Sequence, residues 1–169
     1  LKIQSLATGV WVRFPPPAPG LSWVIFGSMK TLKVKSELAQ LDKIRNFIKE
    51  NLKEFSLSEE DYFRIELSLV EICTNIIRYA YPGTTGDLFL KTWHRDAIIY
   101  WEIRDNGIPF DPTQLKDWDI KEMIGREKKG GLGIFLARKL MDGFSYRRDN
   151  NQNVLTVSKR AVEKKPRAQ

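Results

Sequence analysis

The sequence predicts an α+β fold: a two-layer α/β sandwich in which helices cover one face of a mixed, mainly antiparallel sheet. Three observations predict it. Strand-like runs come in adjacent pairs, 87–95 with 97–104 and 144–148 with 154–158, each joined by a short turn. The helical patterns form separate blocks, giving the order β-α-α-β-β-α-β-β. Apolar residues make up 42% of the 169 residues, enough for the core of one domain.

Residues 1–28 stand apart. They hold Pro15-Pro16-Pro17-Ala18-Pro19, three glycines and two of the five tryptophans, without a periodic pattern. A signal peptide would need a compact basic start, a long apolar core and a small-residue cleavage site, and this pattern is not met. The stretch is read as an upstream extension or disordered arm, with Met29 as the natural start. Leu32-Lys33-Val34-Lys35 alternates apolar and charged residues and predicts an edge strand. Ser36 is expected to cap a helix over about 37–55, whose apolar face is Leu38, Leu41, Ile44, Phe47, Ile48 and Leu52. Arg45 on its other face is an exposed cation that could meet a partner.

Ser58 followed by Glu59, Glu60 and Asp61 is a second helix start, with acids placed to suit the helix dipole. The helix runs to Pro82-Gly83. Ile65, Leu69, Val70, Ile72, Cys73, Ile76, Ile77 and Ala80 cover more than one face, so it is expected inside the domain. One polar stripe crosses it: Arg64, Ser68, Glu71, Asn75 and Arg78, at steps of four, three, four and three. A buried carboxylate and amide one turn apart must be satisfied. A hydrogen-bonded seam does this, and so does a cleft holding a metal ion; the helix alone leaves both open.

The hairpin over 87–104 carries His94 near the end of its first strand, where a histidine most often packs or faces solvent. Asp105-Asn106-Gly107 follows the second strand directly. It is strong turn chemistry, the reading that the motif alone favours; the other reading is a carboxylate placed to accept from an exocyclic amine beside a glycine that admits a flat base. A polar segment from Thr113 to Lys129, with Leu115, Trp118, Ile120 and Ile124, has the look of a mobile lid. Gly130-Gly131-Leu132-Gly133 then opens an apolar helix over 134–141. Such glycines let backbone N–H groups approach an anion, or make only a tight connection. No Lys-Ser/Thr pair follows Gly133, so this is not a Walker loop. Gly143 is read as the cap of that helix. The last two strands turn at Asp149-Asn150-Asn151, and the tail over 161–169 carries no core signal.

Composition excludes several functions. The single cysteine rules out an internal disulfide framework and a cysteine-built zinc site. The single histidine, His94, rules out His-pair metal motifs. There is no apolar run of about 18 residues to form a membrane helix. The net charge of +7 is concentrated at the ends: residues 1–28 carry +2 and 159–169 carry +4, leaving +1 for the 130 between. Basic ends are usually solvated, which argues against direct nucleic-acid binding.

The motifs gain force in combination. Asn75-Ile-Ile-Arg-Tyr-Ala-Tyr81, Asp105-Asn-Gly-Ile-Pro-Phe-Asp-Pro112 and Gly130-Gly-Leu-Gly-Ile-Phe-Leu-Ala-Arg-Lys-Leu-Met-Asp142 come in that order. Over about residues 31–160 the sequence resembles the histidine-kinase-like ATPase superfamily (the Bergerat, or GHKL, fold). More narrowly it resembles the anti-sigma-factor serine/threonine-protein kinases. The resemblance implies a cytoplasmic enzyme that binds ATP and Mg²⁺, phosphorylates a small anti-sigma antagonist, sequesters a sigma factor and forms a homodimer. It implies that Asn75 ligates Mg²⁺, that Glu71 is the general base, that Asp105 recognises the adenine amine and that Gly107 lines the base pocket. Gly131, Leu132 and Gly133 would hold the phosphates, with Lys129 or Arg126 as charge partners from the lid. A nucleotide-dependent binding module without kinase activity is the alternative, and Glu71 argues against it. No phospho-accepting histidine in a dimerising helix and no transducer domain are present in the pattern, which disfavours sensor kinases and the gyrase, chaperone and mismatch-repair relatives.

Two departures from the family pattern stand out. Arg78 replaces a frequent histidine and would bind phosphate or pair with Glu71. Asn151-Gln152-Asn153 replaces a frequent Gly-Thr pair, which leaves one usual nucleotide contact open.

Overall fold

The structure, a computed structural model, describes residues 2–4, 11–13, 29–115 and 132–163. Its strands are β1 (Lys2–Gln4), β2 (Trp11–Arg13), β3 (Lys30–Lys35), β4 (Phe55–Ser56), β5 (Asp87–Arg95), β6 (Ile98–Asp105), β7 (Gly143–Asp149), β8 (Gln152–Arg160) and β9 (Val162–Glu163). Its helices are α1 (Leu41–Leu52), α2 (Glu59–Tyr79) and α3 (Leu132–Leu140). Five strands form the main sheet in the order β3-β5-β6-β8-β7, and each of its four ladders is antiparallel. The expected α+β sandwich is therefore present, with the sheet antiparallel throughout its described ladders rather than mixed.

Local sequence explains the elements. Ser58 caps α2 by accepting from the Asp61 N–H at 3.0 Å. The tight turns use residues that tolerate left-handed backbone: Asp96 (φ 54) between β5 and β6, and Asn150 (φ 46) and Asn151 (φ 64) between β7 and β8. Alternation then separates the two faces of the sheet. Leu88 and Leu90, Ile99, Trp101 and Ile103, and Leu155 and Val157 point inward. They form one cluster with Ile44, Ile48 and Leu52 of α1 and Ile65, Leu69 and Ile72 of α2. Trp101 lies fully buried at its centre, with Phe47 edge-on at 6.0 Å. On the opposite face Trp93 stacks on Tyr100, its cross-strand partner, at 5.3 Å. His94 packs edge-on against Phe55, a packing residue as its strand position suggested.

Three expectations are corrected. Ser36 caps no helix. It is buried, its hydroxyl accepts from the Gly86 N–H at 2.8 Å, and its own N–H donates to the Gly86 carbonyl at 2.9 Å. That clasp joins the end of β3 to the start of β5, and a 3-10 turn over Leu38–Gln40 intervenes before α1. Leu38 consequently falls off the apolar face and is exposed. Gly143 is a buried first residue of β7, not a helix cap. The tail has a core signal after all: Ala161 is buried, and β9 pairs with β4. Residues 1–28 include a two-stranded antiparallel pairing of β1 with β2. No helix among the described residues is long and apolar enough to cross a membrane.

Cys73 sits on the buried face of α2, and burial pushes its thiol up to about 12. The thiolate is the reactive form, so the native protein should resist a thiol reagent such as DTNB at pH 8. One equivalent should react on unfolding in guanidinium. Rapid labelling of the native protein would show that α2 is not held in the core.

Candidate functional site

The polar stripe of α2 divides in the structure. Arg64 turns to Glu60 and Asp61 in the first turns of the same helix. Ser68 is buried in the core, and its hydroxyl has no hydrogen-bond partner among the described residues. Glu71 and Asn75 are half-buried. Arg78 is exposed, and no ion pair among the described residues joins it to Glu71 two turns away. Asn75 donates its Nδ2 to the Glu71 carbonyl at 2.8 Å. That bond fixes the amide, and Oδ1 is left as an oxygen acceptor for a ligand.

Asn75 lines a cavity of about 330 Å³ between α2, the end of β6, the segment over 108–115 and α3. Its walls are mainly apolar, with Ile72, Ile76, Ile134 and Leu155 inside and Tyr79, Ile108 and Phe110 exposed at the mouth. The polar groups in it are few: Asn75, Asp105, Asn153 and the Tyr146 hydroxyl. An apolar slot with a few convergent polar groups suits a flat heterocycle bearing a polar edge. A second groove, on the opposite face of the sheet between Lys33, Phe89 and Arg104, contains none of the predicted site residues.

Asp105 is 3% exposed. Its Oδ1 accepts from the Gly107 N–H and from Asn153 Nδ2, both at 2.8 Å. No described residue donates to Oδ2. Burial raises the carboxyl above the usual range, while Asn153, the Gly107 N–H and the nearby Arg148 pull it back down. Asp105 thus ends its strand as Asp-x-Gly turn chemistry and also offers a cavity-side acceptor, the two readings that the sequence held open.

Gly107 meets a demand that its neighbours impose. A Cβ there would lie 2.4 Å from the Ala80 carbonyl oxygen and 2.6 Å from Ala80 Cβ. The glycine lets the loop lie directly on the C-terminal end of α2, where the Ile108 N–H donates to the Ala80 carbonyl at 2.9 Å. Gly107 is not among the residues that line the cavity, while its neighbours Asp105 and Ile108 are. Tyr81 secures the same loop: its hydroxyl accepts from the Asn106 N–H and donates to the Asp87 carbonyl, both at 2.8 Å.

Gly133 makes the corresponding approach at the other end. A Cβ there would fall 2.1 Å from Glu71 Oε2 and 2.9 Å from Glu71 Cβ. The first turn of α3 therefore lies against the Glu71 side chain. Leu132 is exposed at that helix start. Lys129, Gly131, Arg126 and the lid residues Trp118, Ile120 and Ile124 lie outside the described residues. Sequence reasoning left Asn153 open and passed over Tyr146, Ile108 and Phe110. The signal for Asn153 was a polar residue in phase with Leu155 and Val157, on the inward face of its strand.

No group of three or more His, Cys, Asp and Glu among the described residues could hold a metal. The donor present is the Asn75 amide oxygen. A hard cation such as Mg²⁺ takes few protein ligands and completes its octahedron with phosphate oxygens and water, so this donor fits it.

Comparisons agree with the geometry. A family model described as "Histidine kinase-like ATPase domain" matches residues 34–159. The chain is 28% identical over 100 residues to the serine-protein kinase RsbW of Bacillus thuringiensis (strain Al Hakam), covering 57% of this chain and 62% of that one. It is 27% identical over 100 residues, with the same coverage, to the serine-protein kinase RsbW of Bacillus cereus (strain AH187). The match thus spans less than two thirds of the length of these relatives. Among solved structures, the RsbU and RsbW domains of Rv1364c from Mycobacterium tuberculosis share the fold, with a TM-score of 0.56 at 14% identity. That similarity covers 80% of this chain and 32% of that one.

Two outcomes follow from the geometry. Asp105→Asn keeps an Oδ1 acceptor for Gly107 and Asn153 but removes a buried charge. A raised carboxyl in the folded state costs stability once ionised, so the variant should melt no lower than wild type at pH 7.5. The advantage should vanish as acid protonates the wild-type group. Thermal melts between pH 4 and 8 check the sign. Gly133→Ala should destabilise the fold by about 1–3 kcal/mol through overlap with Glu71. In a Glu71→Ala background the same change should be milder by about 1 kcal/mol in a double-mutant cycle.

Proposed function

The chain belongs to the histidine kinase-like ATPase domain family, and we propose that it is an ATP-dependent serine/threonine-protein kinase of the anti-sigma type. It binds ATP with Mg²⁺ and phosphorylates a serine or threonine on a small anti-sigma antagonist. It also sequesters a sigma factor, acting in the cytoplasm. The observation that carries this reading is the shared cavity of Asp105 and Asn75, with Glu71 one turn from Asn75 along α2. The RsbW names of the relatives support the same direction.

Each residue has a separate task in the transfer. Asp105 Oδ2 accepts a hydrogen from the adenine amine and sets the base in the apolar slot. Ile76, Ile108 and Leu155 exclude water from its faces. Asn75 Oδ1 holds the Mg²⁺, which, when bound, neutralises phosphate charge and fixes the phosphate geometry. Gly131, Leu132 and Gly133 carry the phosphates at the start of α3, with Lys129 or Arg78 supplying positive charge. Glu71 accepts the proton of the incoming hydroxyl as its oxygen bonds to the γ-phosphorus and the bond to the β,γ-bridging oxygen breaks, releasing ADP. The close approach at Gly133 keeps that carboxylate beside the helix start where the phosphates would lie.

The test is transfer of labelled phosphate from Mg²⁺–ATP to candidate antagonist proteins. Glu71→Gln should lower transfer by about 100-fold or more while ATP binding persists. Asn75→Ala should weaken Mg²⁺–ATP binding itself. Normal transfer by Glu71→Gln removes the base assignment. ATP binding by wild type without labelling of any antagonist favours a nucleotide-dependent binding module instead.

A further inference from the structure

Asp105 and Asn153 are direct cross-strand partners in the β6–β8 ladder, so their side chains stand together on one face. The Asn153 amide is engaged at both ends. Its Nδ2 donates to Asp105 Oδ1 at 2.8 Å and to the Ile108 carbonyl at 3.0 Å. Its Oδ1 accepts from Arg148 Nη1 at 2.7 Å and the Tyr146 hydroxyl at 2.8 Å. The reverse orientation of the amide would set its oxygen against a carboxylate and a carbonyl, and its NH₂ against a guanidinium. The network therefore fixes which end faces Asp105.

Resting on the reading of this cavity as an adenine-nucleotide site, we infer that Asn153 is a specificity-determining residue that makes Asp105 a one-oxygen acceptor. A carboxylate oxygen has two lone pairs in plane. Those of Asp105 Oδ1 are taken by Gly107 and Asn153. Oδ2 alone remains for a base. Adenine needs one acceptor for one amine hydrogen. Guanine presents two adjacent donors, N1–H and the 2-amino group, and gains most from a carboxylate that receives both oxygens' worth of bonds. With Oδ1 filled, both guanine donors must share Oδ2, and the 2-amino group has no well-aligned acceptor of its own. Asn153 itself has no unused donor or acceptor to read the base, so it acts through Asp105 and not by touching the ligand.

Hypoxanthine isolates the effect, because ITP is GTP without the 2-amino group. Dissociation constants for ATP, GTP and ITP would be measured by competition on the full chain. In wild type, GTP and ITP should bind within about twofold of each other. In Asn153→Val, one Oδ1 lone pair is free, and GTP should gain about tenfold over ITP, the worth of one hydrogen bond to a charged group. Arg148→Met damages the far end of the same network but leaves Oδ1 filled, so its GTP-to-ITP ratio should match wild type. A tenfold GTP advantage in wild type overturns the inference, as does an unchanged ratio in Asn153→Val. An equal shift in Arg148→Met overturns it too, by marking general loosening. Should Asn153→Val fail to fold by circular dichroism, Asn153→Ala, which also carries no donor, takes its place with the same expected shift, and the wild-type ratio decides independently. Absence of ATP binding in wild type defeats the nucleotide-site reading and this inference with it, whereas ATP binding with GTP well ahead of ITP defeats this inference alone.

Discussion

Two glycines lie so close to α2 and its C-cap that a Cβ on either would overlap them, one against backbone and one against a side chain. Gly107 rests on Ala80 at its C-terminal end, and Gly133 rests on Glu71 two and a half turns earlier. These contacts bring the loop after β6 and the start of α3 onto one helix. The cavity is the space left between them. A Cβ at either glycine would push the loop after β6 or the start of α3 away from α2, and so would alter the cavity that Asp105 and Asn75 line. The glycine pattern is thus a packing requirement first, and the chemistry of the site is built on it.

Local signals carried much of this fold. Ser58 and the acids after it marked the start of α2, and strand alternation marked which residues turn inward. The spacing of Glu71 and Asn75 was enough to place them on one side of the helix. Their close neighbours were not legible, because those depend on tertiary contacts. Ser36 looks like a helix cap by its neighbours in sequence, yet Gly86, fifty residues on, claims its hydroxyl. Ala161 lies beyond the last strong strand pattern and is buried because β9 returns to β4.

The site shows the same division. Asp105 announces itself through Asp-x-Gly at a strand end. Asn153 does not, since it meets Asp105 only through the β6–β8 register, across 48 residues of chain. Nothing local distinguishes an asparagine that orients a carboxylate from one that serves a turn, and the neighbouring Asn150 and Asn151 do serve the turn. Gly107 carried two local readings, and the contact with Ala80 shows that its missing side chain serves the helix behind it.

Lys159 gives these contacts a further meaning. Its Nζ donates to the Leu140 carbonyl at 2.9 Å and to Asp142 at 2.8 Å, at the far end of α3, and stands 3.8 Å from Asp61 near the start of α2. It belongs to β8, the strand that carries Asn153. The path therefore closes on itself: α2 to Gly133, along α3 to Lys159, down β8 to Asn153, across to Asp105, and through Gly107 back to α2. Mechanically this is a closed frame, with the cavity as its opening. A force applied at any one joint is shared by all the others, so the width of the slot is a property of the whole circuit.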